Sequence, residues 1–116
     1  MKTTEKHFKI FVDRCKYWVD KFHLDNWEVH YIHSDECGYR AKSSTNLGGY
    51  VANIHLSSKW NGYNSISEED LDMVAKHEVI HVLLARLSSN AKSRYMCVED
   101  LVESEEEIVR KLEKLL

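Results

Sequence analysis

Residues 67–87 read SEEDLDMVAKHEVIHVLLARL. Ser67 can cap a helix through its hydroxyl, and Glu68, Glu69 and Asp70 set negative charge on the electropositive first turn. After Lys76 the segment is apolar on nearly every side, through Val79, Ile80, Val82, Leu83, Leu84, Ala85 and Leu87. A helix with no wide polar face is a buried one, so this segment is the expected central helix, ended by Ser88-Ser89-Asn90.

Upstream of it the pattern changes period. Trp27-Glu28-Val29-His30-Tyr31-Ile32 alternates apolar and polar residues, the mark of a half-buried strand. Ser34-Asp35-Glu36-Cys37-Gly38 reads as a turn, and residues 39–45 as a weaker second strand. Asn46-Leu47-Gly48-Gly49 is a hairpin turn, with glycines available for positive φ. Residues 50–57 form a third strand. Tyr50, Ala52, Ile54 and Leu56 share one face, and Val51, Asn53, His55 and Ser57 the other. The first 22 residues predict an amphipathic helix, with Phe8, Phe11, Val12, Cys15, Trp18, Val19 and Phe22 at spacings of three and four. A last helix runs from about 98 to 116. The order helix, three strands, helix, helix defines an α+β domain.

The chain has 116 residues, 43% of them apolar, which suits one domain with one core. Sixteen Lys+Arg stand against nineteen Asp+Glu, a net charge of −3, which argues against a general grip on nucleic-acid phosphates. No apolar run approaches the roughly 18 residues of a membrane span, and no apolar h-region follows the first residues. Three cysteines, at 15, 37 and 97, form no C-x-x-C pair. An odd count without an export signal reads as free thiols in a reducing cytoplasm.

The chemistry lies in His77-Glu78-Val79-Ile80-His81, an H-E-x-x-H sequence. On a helix, positions i and i+4 share a face, so both imidazoles can reach one metal ion. Zn²⁺ takes imidazole nitrogen and keeps one of its four positions open for water in catalytic sites. The intervening glutamate points to the flank, where it can take the proton of a zinc-activated water. Chance would supply about 0.04 such matches in a chain of this composition. The bland reading, two core histidines bonded to backbone, leaves charge in the most apolar helix without a partner.

A catalytic zinc site needs a third protein ligand. In the last helix, at ~100° per residue, Glu105 falls within the stripe of Leu101, Ile108, Val109 and Leu112. Glu106 lies at the stripe's edge near Val102, and Glu103 and Glu107 point away. A carboxylate in mid-stripe is anomalous unless a cation meets it. Phase therefore selects Glu105, with Glu106 as the alternative. Tyr63 and Tyr95 are candidate oxyanion donors.

These motifs resemble those of the gluzincin metallopeptidases, the thermolysin-like group. The chain is similar above all to the smallest members, the minigluzincins, and to short metallopeptidase-like proteins of phages and mobile elements. The resemblance spans nearly the whole chain. It takes in the N-terminal helix, the strand opening at Trp27, the hairpin ending Val51-Ala52-Asn53-Ile54-His55-Leu56 and the stretch from His77 to Ala85, and ends with Glu105-Glu106-Glu107-Ile108-Val109-Arg110-Lys111-Leu112. It implies a zincin-like domain over residues 1–116 that binds one Zn²⁺ through His77, His81 and Glu105 and hydrolyses peptide bonds with Glu78 as general base. The family's edge strand runs beside the cleft and pairs with substrate backbone. It matches residues 50–57 here, which makes Asn53 and His55 substrate-binding candidates. One departure stands out. Larger gluzincins place Asp or Asn four residues after the third ligand to orient a histidine, where this chain has Val109 (after Glu105) or Arg110 (after Glu106).

The expectation is thus a cytoplasmic zinc endopeptidase acting on peptide or protein substrates, with no nucleic-acid or membrane partner. The competing reading is a latent or non-catalytic, metal-stabilised binding module regulating a phage or mobile-element protein. An intact Glu78 argues against it.

Overall fold

The computed structural model describes residues 1–35, 38–92 and 98–115. Cys37, Cys97 and Tyr95 lie outside these residues, as does the middle of the turn expected at 34–38.

Helix α1 spans Glu5–Lys21. Thr4 caps it, its hydroxyl accepting from the His7 amide, while the His7 ring accepts from the Thr4 amide. Phe11, Cys15 and Trp18, spaced by four and three, are its buried face. Strands β1 (Glu28–Ser34), β2 (Ala41–Asn46) and β3 (Val51–Ser57) make one sheet in the order β1-β3-β2. β3 is parallel to β1 and antiparallel to β2. The hairpin forms at Asn46–Gly49 as expected, but the left-handed residue is Tyr50 at φ 51°, not a glycine. The Asn46 side chain, which accepts from the Gly48 amide at 2.9 Å, shapes the turn instead.

Ala52, Ile54 and Leu56 are fully buried and join Phe11, Cys15, Leu71, Val74, Ala75 and Val79 in one core. The sheet therefore packs one face on α1 and on α2, which spans Glu68–Leu83. Ser67 and Asp70 close a capping box at the start of α2. Arg14 and the Trp18 indole both donate to Asp72, at 2.6 and 2.8 Å, and tie α1 across α2. Trp60, fully buried, seals the end of the sheet, and its indole donates to the Arg40 carbonyl at 3.1 Å.

The central helix is shorter than its apolar run. It ends at Leu83, and a separate α3 covers Ala85–Lys92, past the expected stop at 88–90. Burial thins beyond it: Val82 and Ala85 are enclosed, whereas Leu83 and Leu87 are exposed. Helix α4, Val98–Leu115, packs against α2 and α3. Among the described residues no helix is long and apolar enough to cross a membrane.

Candidate metal centre

α2 carries His77 and His81 one turn apart on the flank that faces α4. Their rings meet edge to face, with centroids 5.0 Å apart. The two Nε2 atoms are 3.3 Å apart. From α4, Glu106 reaches both: Oε1 lies 3.1 Å from His77 Nε2 and Oε2 3.2 Å from His81 Nε2. His77, His81 and Glu106 form a group whose ligand atoms all lie within 4.8 Å of one another, and such a group can hold a metal ion.

The outer nitrogens are also taken. His77 Nδ1 donates to Glu113 Oε2, and His81 Nδ1 to Glu105 Oε1, each at 2.7 Å. Carboxylates only accept, so each Nδ1 carries the proton and each Nε2 is left with its lone pair facing inward. Two lone pairs and a carboxylate then face one another with no hydrogen between them. That arrangement calls for a cation or added protons, and the donor set of two imidazoles and one carboxylate suits a divalent transition metal. Carboxylates on the outer nitrogens hold the rings in orientation and make them better ligands.

Glu105 therefore departs from its expected place. It holds His81 from behind and does not join the converging atoms; Glu106, the alternative, does. The reason is the rotation of α4. The expected stripe included Ile108, but Ile108 is 41% exposed while Val109 is fully buried. Centring the face on Val109 turns the helix by about half of a 100° residue step and brings Glu106 and Glu113 inward. Sequence reading missed Glu113. Its only sequence signal is the spacing of seven from Glu106, two turns along one face. The support that Val109 and Arg110 do not give comes from Glu105 and Glu113.

Glu78 is 6% exposed, beside the histidines and towards β2. Burial pushes its carboxyl above the usual range. Positive charge on the two histidines, where they are protonated, and a hydrogen bond from the Ser43 hydroxyl pull it back down, and Glu106 adds a smaller upward push. Ser43 is a second residue the sequence did not single out, since nothing in a weak strand distinguishes one serine from its neighbours.

A cleft of about 1040 Å³ runs over this group. Ala41, Ser43 and Thr45 of β2 form one wall, His77, Glu78 and His81 the floor, and α4 another wall. The strand beside the cleft is thus β2, at the edge of the sheet. β3 is its middle strand, with both backbone edges paired, so residues 50–57 cannot serve as the expected edge. Asn53 and His55 correct likewise: they alternate with the buried Ala52, Ile54 and Leu56, occupy the opposite face of the sheet and do not line the cleft. Tyr63 is also elsewhere, packed on Trp60 with its hydroxyl accepting from Arg40 at 2.8 Å. His33 is structural, stacked on Phe8 and bonded to the Thr3 hydroxyl.

No family model, no curated protein and no solved structure matches this chain.

Proposed function

We propose that the chain is a zinc-dependent endopeptidase of gluzincin type, built on a minimal zincin-like scaffold. The observation that carries the reading is the convergence of His77 Nε2, His81 Nε2 and the Glu106 carboxylate, with Glu78 buried beside them. A Zn²⁺ held by those three side chains supplies Lewis acidity, making water nucleophilic near neutral pH and polarising a peptide carbonyl. Glu105 and Glu113 keep both imidazoles in the tautomer that presents Nε2. The Glu78 carboxylate takes the proton of the attacking water and passes it to the leaving nitrogen. Burial helps here: a carboxyl held above its ordinary range is a stronger base once ionised. The Ser43 hydroxyl orients that carboxylate. Among the described residues no strand pairs with the outer edge of β2, which offers N–H and C=O groups to an extended substrate, the pairing by which strands recognise peptides.

The experiment is metal analysis followed by peptide digestion with wild type and Glu78→Gln. About one zinc per chain is expected in both proteins, with cleavage falling ~10²–10⁴-fold in the variant because an amide cannot take the proton. Stoichiometric zinc without cleavage of any member of a broad peptide library would overturn the catalytic role and leave a metal-stabilised binding module.

A further inference from the structure

The cleft carries a charge pattern that the metal centre does not explain. Its lining includes Arg40, Lys42, Lys92, Arg110 and Lys114, all exposed. The acids in the lining are Glu78, Glu105, Glu106 and Glu113, and each is engaged with a histidine or with Ser43. Among the described residues no carboxylate is ion-paired with any of the five cations, and Arg40 donates to the neutral Tyr63 hydroxyl. The acids are therefore inward and occupied, while the outward charge is uniformly positive. This occurs on a chain whose net charge is −3, so the excess is local to the cleft. Five cations against four carboxylates leave the lining at a formal charge of +1, which a bound Zn²⁺ would raise to +3. The carboxylates are turned towards the histidines and Ser43 while the cations are exposed, so an entering ligand meets positive charge first, and such a cleft concentrates anionic groups.

The cations come from both walls. Arg40 and Lys42 belong to β2 and the residues leading into it. Arg110 and Lys114 follow Glu106 at successive spacings of four on α4, along the flank that reaches the histidines. Resting on the endopeptidase reading and deepening it, we propose that the cleft selects extended peptide segments with Asp or Glu side chains on either side of the bond to be cut. A polynucleotide would also meet the positive charge, but a sugar-phosphate chain lacks the alternating N–H and C=O groups at strand spacing that pair with the edge of β2, whereas a peptide backbone has them.

The test uses the full zinc-loaded chain and three fluorogenic peptides with one shared apolar centre, flanked on both sides by Glu, by Ala or by Lys. Two readouts are taken: kcat/KM for the wild type, and affinity for Glu78→Gln by fluorescence anisotropy, which needs no turnover. The Glu peptide should exceed the Ala peptide by about tenfold in both, with the Lys peptide lowest. The spread should narrow between about 50 and 500 mM salt as screening shortens the reach of the charges. The double variant Arg110→Glu, Lys114→Glu should reverse the order of the Glu and Lys peptides. Equal affinity for all three peptides would overturn the proposal. So would a single-stranded oligonucleotide that displaces the Glu peptide at lower concentration than the unlabelled peptide does. If the anisotropy order holds while neither these three peptides nor any member of the broad library is cleaved, the acidic occupant stands and the endopeptidase reading falls; cleavage without a preference does the reverse.

Discussion

Replacing Glu106 by glutamine should cost more zinc affinity than any other single change on α4. The side chain keeps its size, so the seating of Val109 is preserved and the effect is electrostatic. In the structure both Glu106 oxygens face the Nε2 atoms, at 3.1 and 3.2 Å. Glu105 and Glu113 touch Nδ1 only, on the far side of each ring. Losing a carboxylate of that outer kind lowers metal affinity by about 10–100-fold. Losing Glu106 would remove one of the three side chains proposed to hold the ion, and a unit charge facing a dication. At an effective dielectric near 20, two unit charges 4 Å apart interact by about 4 kcal/mol, and a dication doubles that before desolvation is subtracted. A net loss of about 4 kcal/mol, or ~10³-fold, follows for Glu106→Gln. Competition against a chromophoric chelator, run on Glu105→Gln, Glu106→Gln and Glu113→Gln, gives the ranking directly. If Glu105→Gln proves the most damaging, α4 is rotated so that Glu105 and not Glu106 faces the two Nε2 atoms, and His81 Nδ1 does not hold its proton against Glu105.

Three further outcomes are expected. Ser43→Ala removes a hydroxyl that favours the charged form of Glu78, so its carboxyl should rise further and the acid limb of the kcat/KM profile should move to higher pH; an unmoved limb would remove Ser43 from the site. Trp60→Ala should cost about 3–5 kcal/mol in urea unfolding, because a fully buried indole is lost and the Arg40 carbonyl keeps only the Ser57 amide of its two donors. Burial, reinforced by Glu78 and Asp72, pushes the Cys15 thiol well up, so peptide mapping should find Cys15 unalkylated in the native protein at pH about 9. Its contribution to stability should be full below the ordinary thiol range and lost as pH rises towards the raised value.

Much of the framework was legible because its signals are local. The three-and-four spacing of Phe11, Cys15 and Trp18 is a property of one helix, as is the period-two burial of Ala52, Ile54 and Leu56 a property of one strand. The spacing of His77, Glu78 and His81 needs no tertiary knowledge either, since one helical turn sets it. Even the split of the central helix at Leu84 leaves that motif within a single element.

What the chain alone left undecided depends on how elements meet. The resemblance to gluzincins implied that the third strand stands beside the cleft, but strand order in space is set by which backbone edges pair, and β3 pairs on both. That transfers the cleft wall to β2 and makes Ser43 a neighbour of Glu78. Similarly, α4 has apolar residues over too wide an arc for its own pattern to fix its rotation. Packing on α2 chooses Val109 over Ile108 as the buried centre. That turn of about half a residue step decides that Glu106 faces both Nε2 atoms while Glu105 and Glu113 stand behind the rings. A helix's periodicity determines which residues share a face; only the surface it packs against determines where that face points.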